Sequence, residues 1–274
     1  MKVLILGASG LIGSGVKKTL DKISGYNVIG TYNNKLMDGN NFLKLNNLED
    51  NHIKIFIEKI NPDLIINCLG ITKHLSSEFN DNEHIKVNAI FPKELSNIAY
   101  MNNIKFVHIS TDCIYSGEKG NYIENDVSDA KDIYGVSKAM GENIHPSSTI
   151  LRTSTIGREI ITKYGLLEWF LSQENECEGH QNAIFSGITS IELGKVIQNF
   201  IIPNKELNGL YNVSSDPINK YELLKKLAIF YKKDIKINKN KTFKIDRSLS
   251  GDLFKAKFGY EAKTWDLMLS EMNK

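Results

Sequence analysis

Tyr134 and Lys138 stand four residues apart, one helical turn, in a stretch whose periodicity predicts a helix over about 134–143. On a shared helix face an ammonium stabilises a phenolate, so the spacing predicts a Tyr134 pKa below the free value of about 10. A tyrosine tuned in this way can give its proton to a carbonyl oxygen while the carbonyl is reduced. Alone, a Tyr-x-x-x-Lys pair more often marks a helix-surface contact. Its neighbours change the balance, because Ser110, Thr111 and Asp112 crowd the end of the apolar run 104–109, where open α/β sheets bind ligands. The Thr111 hydroxyl can bond the same carbonyl oxygen and orient Tyr134, which makes Thr111, Tyr134 and Lys138 the candidate catalytic set.

A second cluster opens the chain. Gly7, Gly10 and Gly13 follow the apolar run 2–6 and lead into an amphipathic stretch. In that setting the first glycine makes a tight turn, the second lets a pyrophosphate approach, and the third lets the helix pack on the sheet. Free N–H groups near Leu11 and Ile12 then face the phosphate charge. Expected cofactor contacts are therefore Gly7, Ser9, Gly10, Leu11 and Ile12. An acid about 20 positions onward would grip the ribose 2'-hydroxyl of NAD, and none is there. Nothing at the end of the second strand repels a 2'-phosphate, and Thr31, Asn33 or Lys35 can contact one. This favours NADPH, with NADH as the alternative. Asn46, Cys68, Leu69 and Gly70 complete the expected contacts together with Tyr134 and Lys138, whose ammonium can also hold the nicotinamide ribose.

Holding these groups together requires strands that end side by side. Short apolar runs at 2–6, 26–31, 63–67, 104–109 and 149–152 alternate with helical stretches, and they lack polar alternation. Burial on both faces follows, which means a parallel sheet between helices: a Rossmann-type, doubly wound α/β fold. After Arg152 the rhythm weakens. A helical stretch at 166–173 and a polar segment at 174–181 suggest a smaller substrate lobe, while 209–213 reads as a strand returning to the sheet. We expect a nucleotide-binding domain over 1–152 and 188–214, and a discontinuous substrate lobe over 153–187 and 215–274. Asn219 with Glu222 reads as a cap for a helix over 220–231, and the lysine-rich stretch 232–244 as a solvated face with a short strand.

With 274 residues, 41% of them hydrophobic, the chain can bury a core without disulfide or metal. A net charge of +2 without a basic block argues against nucleic acid as partner. Three scattered cysteines and six histidines show no metal-ligand spacing and suit a reducing cytoplasm. His108 reads as a core residue of an apolar strand, and His74 as a loop residue. No apolar run reaches the roughly 18 residues of a membrane span.

At 7–13, 88–92, 110–117, 134–142 and 151–154 the sequence resembles the extended short-chain dehydrogenase/reductase family, and within it the dTDP-4-dehydrorhamnose reductase group. The resemblance covers nearly the whole chain. It implies an NAD(P)H-dependent reductase of a nucleotide-linked 4-keto-6-deoxy sugar, serving polysaccharide or capsule precursor synthesis, with Thr111, Tyr134 and Lys138 as the catalytic trio. By the same likeness Asp112 contacts the sugar, and Arg247 binds the diphosphate unless it is a surface arginine. Arg158 is a candidate for phosphate contact. Trp169 is one for stacking, unless it fills the lobe core. Cys113 replaces the glutamate that the family's dehydratases carry after Thr-Asp, which removes the acid elimination needs. Two alternatives stay open: an epimerase of the same substrates, and a non-catalytic regulatory subunit. The family often pairs through helices, so a homodimer is expected from the resemblance alone.

Overall fold

The computed structural model describes residues 1–33, 41–75, 78–161 and 163–272. Lys35, named above for the 2'-phosphate, lies outside the described residues.

The chain opens with β1 (Lys2–Leu6), α1 (Leu11–Leu20), β2 (Asn27–Tyr32), β3 (Phe42–Lys44), α2 (Asp50–Ile60) and β4 (Leu64–Asn67). It continues with α3 (Asp81–Ile85), α4 (Phe91–Met101), β5 (Lys105–Thr111), α5 (Ile133–Met140) and β6 (Thr149–Thr153). Successive side chains of a strand point to opposite faces, and β1 shows the consequence. Val3 and Ile5 join a core with Val16 and Leu20 of α1, whereas Leu4 and Leu6 join one with Ile53 and Ile57 of α2 and Leu95 of α4. Two apolar faces demand two helical layers, and the sheet is a Rossmann-type one, covered on both sides.

Downstream lie β7 (Thr155–Ile156), α6 (Leu166–Ser172), β8 (Glu176–Phe185), β9 (Ile188–Thr189), α7 (Ser190–Val196) and β10 (Gly209–Asn212). The last elements are β11 (Ile218–Asn219), α8 (Lys220–Phe230), β12 (Lys236–Asp246), α9 (Asp252–Phe258) and α10 (Trp265–Met272). The large sheet has seven parallel strands in the order β10-β6-β5-β4-β1-β2-β3. The chain runs outward from β1 through β2 and β3, then resumes at β4 on the other side of β1. This reversal opens a crevice beyond the carboxyl ends of the strands, where the glycine loop and the end of β5 both lie.

Two elements differ from the sequence expectation. The apolar pattern predicts a helix over about 85–100, and it begins earlier, at Asp81, under a reciprocal cap in which Asn80 and Glu83 bond each other's backbone. It is interrupted by a π turn at Lys86–Ile90. Pro92 has no N–H to offer the Asn88 carbonyl, and a π turn accommodates that loss. The second difference is the length of the lysine-rich strand. β12 runs for 11 residues parallel to β8, which absorbs most of the polar segment 174–181. One exposed face lets polar side chains alternate with Cys177 and Ala183, so neither run looks apolar. α8 starts as expected, with Asn219 accepting from the Glu222 N–H at 2.9 Å.

Candidate active site

The glycine loop is shaped by backbone contact. Gly7 has φ +75°, and a Cβ there would stand 2.9 Å from Leu69 Cα, so the segment after β4 rests directly on the turn. A Cβ on Gly13 would lie 2.3 Å from the Gly7 carbonyl oxygen. Gly10 differs: its added Cβ would meet only that same oxygen, at 3.4 Å, so its outer side is open. No side chain caps α1, and its first turn carries no acid. An open glycine at the start of an uncapped helix is a cradle for an anion, and a dinucleotide pyrophosphate fits it.

Of the other expected contacts, Ser9, Leu11, Ile12, Cys68 and Leu69 are half-buried, while Gly10, Asn33, Asn46 and Gly70 are exposed. Thr31 is different, being 1% exposed with its hydroxyl accepting from the Gly7 N–H at 3.0 Å. It braces the turn from behind instead of meeting a phosphate. The Cys68 thiol, pushed up to about 12 mainly by burial, stays protonated.

Thr111 ends β5, and its oxygen accepts from the Cys113 N–H at 3.1 Å while its hydroxyl donates to Asp112 at 3.2 Å. Asp132 caps α5 by accepting from the Gly135 N–H, which sets the helix with Tyr134 in its first turn. Burial, with the neighbouring Cys113, pushes the Tyr134 hydroxyl up, against a hydrogen bond with Thr111 that pulls it down. The expected lowering by Lys138 is therefore absent. The reason is geometric: Lys138 donates to the Ile109 carbonyl at 2.9 Å and lies 3.4 Å from His108 Nε2. Burial holds Lys138 down to about 8, against the raising fields of Glu142 and Cys68. Sequence proximity put both groups on one helix, and the strand beneath claimed the lysine.

Asp112 is 4% exposed, and burial raises its carboxyl although Arg247 opposes that. Arg247 comes from just beyond β12, where its Nε donates to the Tyr115 carbonyl at 2.8 Å and Nη1 lies 3.6 Å from Cys113 Sγ. It belongs to the site and not to the open surface. Lys220 opens α8 nearby, and its pKa is lowered first by burial; Arg247 and Lys73 lower it too, against Cys113 and Asp112. Lys73 also pairs with Asp132 at 2.8 Å. Lys73 and Lys220 went unrecognised in the sequence because their segments are far apart and carry no motif.

Asn88 was seen only as part of a family motif. Its side chain accepts from the Ile71 N–H at 2.9 Å and donates to the Ile71 carbonyl at 3.0 Å and to Ser137 at 3.1 Å. The π turn thus ties the loop after β4 to α5. Arg158 is directed elsewhere: it bonds Glu168 of α6 at 2.6 Å and lines, with Ser14, Lys17 and Lys18 of α1, a cavity of about 360 Å³. Trp169 is 37% exposed, so it does not fill a core, whereas the adjacent Phe170 is fully buried in the cluster that holds Val3 and Val16. His74 is exposed.

Comparison with known proteins agrees with this geometry. A probable low-salt glycan biosynthesis reductase, Agl14, of Haloferax volcanii is 32% identical over 162 residues, covering 57% of this chain and 54% of that protein. This chain thus spans about half the length of that relative. A dTDP-4-dehydrorhamnose reductase of Aggregatibacter actinomycetemcomitans is 26% identical over 226 residues, covering 79% of this chain and 74% of that one. A crystal structure of dTDP-4-dehydrorhamnose reductase from Bacillus anthracis, in complex with NADP, has the same fold: TM-score 0.82 at 21% identity, over 99% of this chain and 98% of the other. A family model described as the RmlD substrate binding domain matches residues 1–168, more than half of the 274, and the chain belongs to that family.

Proposed function

We propose that the protein is an NADPH-dependent reductase of a nucleotide-linked 4-keto-6-deoxy sugar. The observation that carries this reading is the convergence of Thr111, Tyr134 and Lys138 at the carboxyl edge of the sheet that also bears the glycine cradle. The bound cofactor supplies a hydride. This chain's residues do the rest: Gly10 and the uncapped start of α1 take the pyrophosphate, and Cys68, Leu69 and Gly70 line the far wall. Thr111 donates to the substrate carbonyl oxygen, and Tyr134 delivers the proton that turns it into a hydroxyl. Burial raises the Tyr134 pKa, so the hydroxyl is protonated at neutral pH, as a proton donor must be. The ammonium of Lys138, swung off Ile109, would hold the nicotinamide ribose and stabilise the phenolate left behind.

Arg247 and Lys220 bring positive charge to Asp112, with Lys73 near Lys220, which supports a substrate that brings its own anion, namely a nucleotide diphosphate. Asp112 would contact the sugar. The substrate lobe is then 153–187 and 215–274, packed against a nucleotide domain of 1–152 and 188–214. The relatives named for glycan and dehydrorhamnose reduction support the same substrate class and a place in polysaccharide precursor synthesis. Such substrates suit a cytoplasmic enzyme, and no helix among the described residues is long and apolar enough to cross a membrane.

The test follows oxidation of NADPH, and separately NADH, with a panel of dTDP-, UDP- and GDP-linked 4-keto-6-deoxy sugars. Oxidation with one member is the expected result and identifies both nucleotide and cofactor. Tight cofactor binding without oxidation by any member would overturn the reading in favour of an epimerase or a regulatory subunit.

A further inference from the structure

His108 is fully buried in β5, yet it is not an inert core residue. Its surroundings determine which ring nitrogen carries the proton. Asn67, at the end of β4, accepts from the Leu69 N–H at 3.1 Å through Oδ1, so its Nδ2 is the atom that faces His108 Nδ1 at 3.1 Å. Reversing the amide would set two N–H groups of Asn67 and Leu69 against each other. Nδ2 must donate, so Nδ1 is the acceptor, and the neutral ring carries its proton on Nε2. A doubly protonated ring is disfavoured, since burial and Lys138 both hold the His108 pKa well below its usual value. The Nε2–H therefore points at Lys138 Nζ, 3.4 Å away.

An ammonium has only protons to offer, so a charged Lys138 in this place meets a donor with donors. A neutral amine accepts from Nε2–H and still donates to the Ile109 carbonyl at 2.9 Å. We propose that His108 is a positioning residue that sets when Lys138 is charged: it favours the neutral amine at the Ile109 carbonyl, and the ammonium only after the side chain has swung toward Tyr134. Among the described residues, the other titratable groups whose fields reach Lys138 are Cys68 beyond β4 and Glu142 in the turn after its own helix. Glu142 is already committed to Arg152 and Ser110. None of them presents a fixed N–H to Nζ. The catalytic consequence rests on the reductase reading, whereas the titration itself does not.

Two replacements separate the roles of the ring. His108→Asn keeps an acceptor for Asn67 and removes the group facing Lys138, while His108→Gln can offer Nζ a carbonyl oxygen. In protein carrying isotope-labelled lysine, with the Lys138 signal assigned through Lys138→Arg, the wild-type midpoint is expected below about 8, the value that burial sets before the His108 N–H is counted. Both variants should raise it by about one pH unit or more, Gln by the larger amount. Where the sugar panel gives turnover, the alkaline limb of kcat should move upward in parallel while cofactor affinity holds. An unchanged Lys138 midpoint in whichever variant folds would overturn the proposal and leave His108 as packing. Failure of the panel with a shifted midpoint would sink the reductase reading alone.

Discussion

Lys138 and Arg152 are buried basic side chains on neighbouring elements, 5% and 3% exposed, and the chain treats them in opposite ways. Arg152 of β6 meets Glu142 through two bonds of 3.0 and 2.7 Å, and its Nη1 donates to the Tyr115 hydroxyl at 2.7 Å. Glu142 also accepts from Ser110. This satisfied fork raises the Arg152 pKa against its burial. Lys138 has a carbonyl and a histidine as partners instead of a carboxylate, and burial lowers its pKa to about 8. A buried charge given its counterion becomes part of the scaffold. One deprived of it stays poised to change state, which suits a group that must help a proton move.

The largest effect should come on the poised side. Tyr134→Phe keeps the ring and the fold, and it is expected to lower turnover by about 10³-fold, or ~4 kcal/mol of transition-state stabilisation, while cofactor affinity stays intact. Steady-state kinetics beside cofactor titration checks this, and retained turnover would mean that Tyr134 is not the proton donor. Arg152→Met probes the scaffold side. It strands Glu142 without its counterion and should cost about 3–5 kcal/mol in urea unfolding, with most of the loss recovered when Glu142→Leu is added. A single variant as stable as wild type would erase the contrast.

Lys138→Met should do the opposite and stabilise the fold at pH 7 by about 2 kcal/mol while abolishing turnover. The folded pKa of Lys138 lies below its unfolded value, so between about 8 and ~10.4 the unfolded chain holds more protons, and wild-type stability rises with pH. The advantage of the methionine is therefore fully present below about pH 8 and fades through that window. Thermal unfolding at a series of pH values measures it; a destabilised variant at pH 7 would place Lys138 with Arg152 as scaffold.

Much of this was open to sequence reasoning. Gly7, Gly10 and Gly13 announce themselves by their spacing, with backbone contact excluding a Cβ at Gly7 and Gly13, and Tyr134 and Lys138 because helical spacing is local. Thr111 was found at a strand end. What escaped was long-range. Asn88 looked like a motif letter until its amide was seen clamping Ile71 and Ser137. Lys73 and Lys220 meet only because the residues after β4 and the start of α8 converge on the end of β5. A chemical forecast that failed, a Tyr134 pKa lowered by Lys138, was derived from helix geometry alone and omitted the strand beneath the helix.

By itself, the sequence determined the parallel α/β layering, the glycine loop and the residues proposed to handle the proton, since these depend on periodicity, steric allowance and spacing within one element. Tertiary structure alone decided the charge states. It seated Lys138 on Ile109 and His108, brought Arg247 to Asp112, tied Arg158 to Glu168 and left Trp169 at the surface. The physical reason is that desolvation and hydrogen-bond partners belong to the space around a side chain, and residues remote in sequence fill that space.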